Sequence, residues 1–600
     1  SDALSSSAYA TEEILLMLLL AGSGALHNAL PIAAVITLLL FIVTASYRQT
    51  IKAYPGGGGA YIVARENLGR VPGLTAGAAL LVDYVLTVSV SVAAGVAAVT
   101  SAVPDLHDYR VPIGVFMIFL ITWGNLRGIR EAGTLFAIPT YFFILSMASM
   151  IAVGLAKVVM GEAPGSLLHG APPEQEVAAT QGLTLFLILR AFSSGSAALT
   201  GIEAISNGVP AFKKPEVRNA RATMLMMAGL LAFLFLGVTF LSSRFGLVPT
   251  HEETIVSELG REVFGKNVLY YAYQVATALV LFLAANTSFN GFPPLAAILA
   301  RDRFLPRQFN FRGDRLAYSN GIMMLAVASS LLIIAFGGQV TRLIPLYALG
   351  VFVSFTLSQA GMVRRFTSLQ EEGWQGSAVI SGVGAVATAI VAVIIGVTKF
   401  THGAWISVLM MAALMLLFTM IRRHYEWFQR CIQVDETEAP VGVPTAVPIE
   451  AGGPRDHVIV PVDGVHKISL GAIGMARALS SRVTAVHVVE DRTEAEEFRE
   501  RWGKLVPDVP LVIIESPYRS FVWPMLSFIE REERTWPDRR IIVLLPTFKT
   551  HHWWEAALHN RDALRLRPLL RDWPGLRVVD FEYSLHGEGG ASPRPQKTPA

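Results

Sequence analysis

Three carboxylates stand where an apolar chain can least tolerate them. Asp2 opens SDALSSSAYATEE, Asp83 interrupts LLVDYVLTVSVS, and Glu203 lies in SAALTGIEAISNGVP. A charged side chain at mid-membrane depth costs about 2.5 kcal/mol or more, so each acid needs a cation, a proton or a basic partner. Hydroxyls accompany them: Ser5 and Tyr9 near Asp2, Thr200 near Glu203, and Tyr347, Thr287 and Ser288 on later segments. On a helix, Asp83 shares a face with Thr87 and with either Val90 or Ser91, and Tyr84 and Ser91 flank it. Carboxylates, hydroxyls and backbone carbonyls are ligands for hard cations. Clusters of His, Cys and Met suited to a transition metal do not occur.

Each acid also has a bland reading. Asp83 pairs with a buried base, for which Arg190 is the conspicuous candidate and Lys157 a more distant one. Glu203 caps the second half of its own helix, and Asp2 caps the segment it precedes. Serine and threonine commonly bond back to their own helix. Glu12 and Glu13 fit a polar vestibule.

The elements that must position these groups are membrane helices. Mean hydropathy is +0.48 and only 16% of the residues are charged, against about 25% in a soluble chain. Apolar blocks give about twelve segments by the span-length rule: Thr11 to Ala21, Ile32 to Tyr47, Leu74 to Thr100, Val111 to Asn125, Leu135 to Met160, Leu183 to Ser206, Thr223 to Ser242, Val268 to Ser288, Asn320 to Phe336, Leu343 to Val363, Val379 to Val397 and Trp405 to Ile421. The first is too short to span alone. Its missing first half is expected upstream of Ser1, with Ser1 to Ser7 at a break in the helix. Basic residues follow the even-numbered segments, for example Arg48 and Lys52, Lys213 and Lys214, Arg301 and Arg303, and Arg364 and Arg365. The other loops are poorer in cations and carry acids such as Asp105, Glu252 and Glu253. Both termini are therefore expected on the cytoplasmic side of the cell membrane. Cys431 is the single cysteine, which excludes a disulfide within the chain and a multi-thiolate metal site.

The sixth segment turns Ser/Gly-rich before Pro210 ends it, and the opening stretch has the same character. Interrupted apolar helices at corresponding places, five segments apart, are the mark of an inverted-repeat transporter. The loop YPGGGGAYIVARENLG, Tyr54 to Gly69, lacks the Lys-Ser/Thr and the preceding strand of a phosphate loop. It reads instead as closely packed backbone.

The glycine loop, the two broken helices and the segment count resemble the amino acid–polyamine–organocation superfamily. That resemblance implies a LeuT-type 5+5 inverted repeat. Within it, SDALSSSAYATEEIL, LLVDYVLTVSVSVAAGVAA, ALTGIEAISNGVPAFKKPE and WWEAALHNRDAL are similar to the KimA potassium importers, relatives of the KUP potassium–proton symporters. The resemblance implies a potassium and proton pathway through Asp2, Tyr9, Asp83, Tyr84, Thr87, Ser91, Thr200 and Glu203, lined also by Tyr347. Potassium would sit against Asp2, Asp83 and Thr200, and Glu203 would couple the proton. It further implies a response to cyclic di-AMP in some members. The acids at the breaks argue on their own against a substrate carboxylate. An amino acid or polyamine permease, and a cation sensor without flux, are the alternatives. No enzymatic chemistry and no nucleic acid polymer as partner are expected.

After Ile421 the composition changes. The expected division is a transporter domain over 1–430, a linker over 431–454, an α/β domain over 455–584 and a disordered tail over 585–600. HVIVPVD, VTAVHVV, LVIIES, IIVLLP and LRVVDF alternate with helical stretches, as in a doubly wound domain of universal-stress-protein type. The turn after the fourth strand, PTFKTHHWWEAAL, has no glycine, which speaks against ATP; the nucleotide-binding residues stay unknown. Asp463-Gly464 reads as an ordinary turn. His551, His552, Trp553 and Trp554 read as either an interface patch or packing. A homodimer through this domain, and a cyclic dinucleotide as its ligand, follow from the resemblance.

Overall fold

A computed structural model describes residues 2–57, 59–128, 133–162, 177–250, 252–310, 318–434, 456–489, 492–516, 521–549, 555, 558–559, 562–571 and 573–584. Most of the expected linker, the expected tail and the patch from His551 to Trp554 lie outside the described residues.

By internal contacts the chain forms two units, Ser1–Ala296 with Asn320–Phe418, and Ala297–Ser319 with Thr419–Ala600. This division differs from the expected boundary at residue 430. The end of the last apolar helix belongs with the sheet-bearing unit because Tyr425 donates to the Leu558 carbonyl at 2.5 Å. Arg422 donates to the Asp302 carbonyl at 2.9 Å in the same unit.

The ends of the helices that reach Arg301 and Ile432 belong to the second unit, and the first has helices and no strand among its described residues. Its chain order is α1 (Asp2–Ser5), α2 (Ala10–Leu19), α3 (Ala29–Ala53), α4 (Ala60–Leu68), α5 (Arg70–Ala102), α6 (Arg110–Leu126), α7 (Gly133–Val159), α8 (Leu185–Gly195), α9 (Ile202–Asn207), α10 (Glu216–Phe245), α11 (Ile255–Phe264), α12 (Val268–Arg301), α13 (Ser319–Ala335), α14 (Val340–Leu369), α15 (Trp374–Lys399) and α16 (Ala404–Ile432). Among the described residues, ten helices are long and apolar enough to cross a membrane. The first and ninth expected segments are the ones that fall short, as α2 and α13.

Both expected breaks are present. The first falls at Ser6–Tyr9 rather than at Ser1 to Ser7: Asp2–Ser5 is helical, Ser6–Ala8 is a 3-10 turn, and Tyr9 leaves the helix at φ −131°. The second runs through the 3-10 turn Ser196–Leu199, extended Thr200 and left-handed Gly201. The breaks lie against each other, with Ser6 Oγ donating to Ala198 O at 3.0 Å. Gly201 is required twice over. Its φ is +83°, and a Cβ there would lie 2.8 Å from Ala3 N and 3.0 Å from the Asp2 carboxyl. Helix α5 passes beside them almost wholly buried, its Ala, Gly, Ser and Val side chains letting neighbours approach closely.

The second unit carries a parallel five-stranded sheet in the order β3-β2-β1-β4-β5, with β1 Asp456–Pro461, β2 Val483–Val489, β3 Leu511–Glu515, β4 Arg540–Lys549 and β5 Arg577–Ser584. Strand alternation splits its core. Val458 and Val460 face α17 (Lys467–Leu479) and α18 (Arg492–Leu505). Ile459 faces α19 (Val522–Thr535) and α20 (Asp562–Arg571). The chain winds outward in both directions from β1 and β4, so a crevice opens at their carboxyl ends.

Candidate ion pathway

The centre of the first unit is built from the two breaks and the face of α5. Asp2 lies against Gly201. The hydroxyls of Tyr9 and Tyr347 converge on Thr200. Thr87 donates to the Tyr347 hydroxyl at 3.1 Å, which ties α5 to α14. Tyr84 accepts from Asn207 Nδ2 at 3.1 Å and packs on Gly291, leaving no room for a Cβ there. Ser91 is buried one turn beyond Thr87. Ser5 and Thr200 do bond back, to Asp2 O at 2.7 Å and Ala197 O at 2.9 Å. No bond joins Thr287 or Ser288 to this set among the described residues.

Asp83 keeps one carboxyl oxygen buried without a hydrogen-bond partner among the described residues. Its electrostatic neighbours are Glu203 and Asp2, both acids. Arg190 is elsewhere. It lines a 250 Å³ cavity with Glu13, Arg342, Lys399 and His402. Lys399 is 2% exposed there, its Nζ has no hydrogen-bond partner among the described residues, and its electrostatic neighbours are Glu13 and Arg190. The pairing of Asp83 with Arg190 is therefore not what the fold builds. Among the described residues, no three carboxylate, imidazole or thiolate groups are arranged to share one metal ion.

Glu203 caps a helix, but not its own. Its Oε1 accepts from Ala60 N at 3.0 Å, at the first turn of α4, and its Oε2 accepts from Ser354 Oγ at 3.2 Å. The glycine loop makes this possible. A Cβ at Gly57 would meet Asn207 O at 2.9 Å, and one at Gly59 would meet Asn207 Oδ1 at 3.0 Å. Ala60, Asn207, Ser354 and Lys399 are the residues that sequence reasoning missed. The lysine carried a signal, being a charge at the very end of an apolar segment.

On the other side of Tyr9 a 590 Å³ vestibule opens, lined by Glu12, Glu13, His107, Glu252 and Glu253. Glu12 accepts from Ile255 N at 3.2 Å, which holds α11 over it. Both acids thus take the vestibule positions expected of them.

The second unit has its own cleft, of 870 Å³, at the carboxyl ends of β1 and β4. Asp463 and Gly464 line it, with Arg307, His466, Arg501, Thr547 and Arg567. His466 bonds Asp463 at 2.8 Å, and Arg567 pairs with Asp580 at 2.8 Å. The Asp463-Gly464 turn is thus part of a crevice wall.

The two interrupted helices of this bundle meet beside carboxylates, and residues 2–428 match the amino acid permease family. Residues 455–583 match the KimA potassium transporter C-terminal domain. The potassium transporter KimA of Bacillus subtilis (strain 168) is 46% identical over 588 residues, covering 97% of this chain and 94% of that protein. The chain belongs to the KimA family of membrane transporters. The low-affinity putrescine importer PlaP of Escherichia coli (strain K12) is 22% identical over 351 residues, 57% of this chain and 75% of that protein. Among solved structures, MhsT in complex with L-phenylalanine aligns at 12% identity over 65% of this chain and 97% of its own, with a TM-score of 0.38.

Proposed function

We propose that this chain imports potassium with protons across the cell membrane, both termini lying in the cytoplasm. The observation that carries the reading is the grouping of Asp2, against Gly201 at the break, with Asp83 and Glu203, and with no basic side chain paired to them among the described residues. Such a set needs a cation that comes and goes. Potassium enters by the vestibule, passes Tyr9 and rests against Asp2, Asp83 and Thr200, with Tyr84, Thr87, Ser91 and Tyr347 lining the route. Glu203 takes up and releases the coupled proton. A 5+5 inverted repeat rocks the helices of the two breaks against the rest, exposing the route to each side in turn. Rubidium-86 uptake into proteoliposomes, with and without an inward pH gradient, tests this. Uptake that ignores the gradient refutes coupling, and the absence of flux leaves a sensor.

Paired acids also suit a polyamine, and PlaP is named for putrescine. Putrescine that competes with rubidium and is itself taken up would favour that second reading.

The transporter domain is taken as 1–430, the linker as 431–454, a universal-stress-protein-like domain as 455–584 and a tail as 585–600. The second domain is read as the dimer contact and as a regulator. The arginines along its cleft suit the two phosphates of a cyclic dinucleotide such as cyclic di-AMP. Calorimetry of the full chain with cyclic di-AMP and with ATP tests that reading, and heat with ATP alone would reverse it.

A further inference from the structure

A second polar route leaves the centre on a different course. From Ser354, which donates to Glu203, α14 continues one turn to Ser358 and Gln359. Ser358 faces Tyr47 and Gln359 lies beside Ser46 on α3, with Thr50 one turn beyond Ser46 and Ser381 one turn before Gly384 on α15. Tyr47 stacks edge-on to Phe355 at 5.2 Å and faces Ser358. Gln359 is wedged between α3 and α15, because one point beside Gly384 lies within 3.1 Å of both Gln359 Oε1 and Ser46 Cβ. The row ends at the half-buried surface pair where Ser377 donates to Gln49 at 3.4 Å.

All six of these side chains are fully buried. None of their hydroxyl or amide atoms has a hydrogen-bond partner among the described residues. Tyr47 and Ser358 are close enough to interact with each other. The contrast with other hydroxyls in the same bundle is sharp. Thr37, Thr122, Thr277 and Thr398 each donate to the carbonyl four residues back, the usual resolution for a hydroxyl on a membrane helix. In the row, the hydroxyls do not make that bond. Dry, each such atom bears its full desolvation cost. Water with two to four polar neighbours removes that cost.

We propose that this row holds a file of buried waters that carries protons between Glu203 and the inner face, apart from the route of the ion. Between Glu203 and the surface it has no carboxylate to balance the charge of a potassium ion, while hydroxyl groups and water pass protons by exchanging hydrogen bonds and the Gln359 amide anchors them. The charged and titratable groups facing the end of the row at Glu203 are Asp83 and Tyr84 from α5 and Tyr47 from α3. The inference rests on the symport reading for its function, but not for its water.

Two measurements separate these. Hydroxyl-radical footprinting of the full chain in nanodiscs compares Tyr47 with Tyr273, equally buried but bonded to Met147 Sδ at 3.4 Å. Bound water makes Tyr47 label about fivefold or more faster than Tyr273; equal rates overturn the file. In proteoliposomes, Gln359→Leu should slow the proton flux that accompanies rubidium uptake by about tenfold, with rubidium half-saturation unchanged. Gln359→Glu, which keeps size and polarity, should retain it. Wild-type proton flux in Gln359→Leu, or equal loss in both variants, overturns the proton role. Wild-type rubidium uptake without protons would sink the symport reading instead, and the footprint would still decide the water.

Discussion

Two charged centres share one helical bundle and solve the same problem in opposite ways. Around Asp83 the charged neighbours are acids, Asp2 and Glu203. Around Lys399 the signs are mixed, with Glu13 and Arg190 close by. The mixed centre sets its acid, Glu13, against bases of the protein's own, Lys399, Arg190 and Arg342. A centre of one sign is neutral only when something mobile, an ion or a proton, joins it. The second unit shows a third solution. His559 is held down to about 3 by burial, with the His424 ring and Arg307 adding to it, so it gives up its charge. The two imidazoles share a hydrogen bond at 2.9 Å.

These differences make predictions that can break the comparison. The largest concerns the mixed centre. Lys399→Met removes the buried cation that Glu13 faces and should cost about 3 kcal/mol in thermal unfolding, and adding Glu13→Gln should recover most of it. Asp83→Asn removes repulsion instead. It should lower rubidium kcat/KM by about 100-fold, or about 2.7 kcal/mol, without lowering the melting temperature in potassium-free buffer. If Asp83→Asn melts early and Lys399→Met does not, the roles of the two centres are exchanged. Gly201→Ala forces a side chain into a left-handed turn against Asp2 and should cost about 1–3 kcal/mol, read by the same melts.

The smallest effect is a pH dependence. Folded His559 binds its proton only near pH 3, whereas the unfolded chain binds it near the ordinary value of 6.5. The unfolded state therefore takes up more protons below 6.5. The contribution of this site is intact above pH 6.5 and falls away as the pH drops toward 3, by about 1.4 kcal/mol at pH 5.5. A melt of the His559→Gln variant with an unchanged slope between pH 7 and 5.5 would assign the slope to other groups.

Much of the candidate site was legible before any coordinate. The acids announced themselves because a carboxylate in an apolar block has few explanations. Thr87 followed from helical spacing. Lys399 was lost because its segment was ended at Val397, which left it looking like a loop charge. The partners of Glu203 were illegible for another reason. Ala60 contributes a backbone N–H that any residue but proline has, and Ser354 is one serine among many. Ser358 and Ser381 show the same limit: a hydroxyl that bonds back and one that faces a polar row are the same letter.

What the chain determined by itself is what transfer free energy decides locally: a membrane protein, the places of its apolar segments, the breaks near Asp2 and Glu203, and a separate α/β domain. Which polar groups meet was decided only by the tertiary structure. Coulomb attraction and hydrogen bonding depend on separations of a few ångströms between residues that lie far apart in the chain. No local pattern carries the distance from Glu203 to Ala60 or from Lys399 to Glu13.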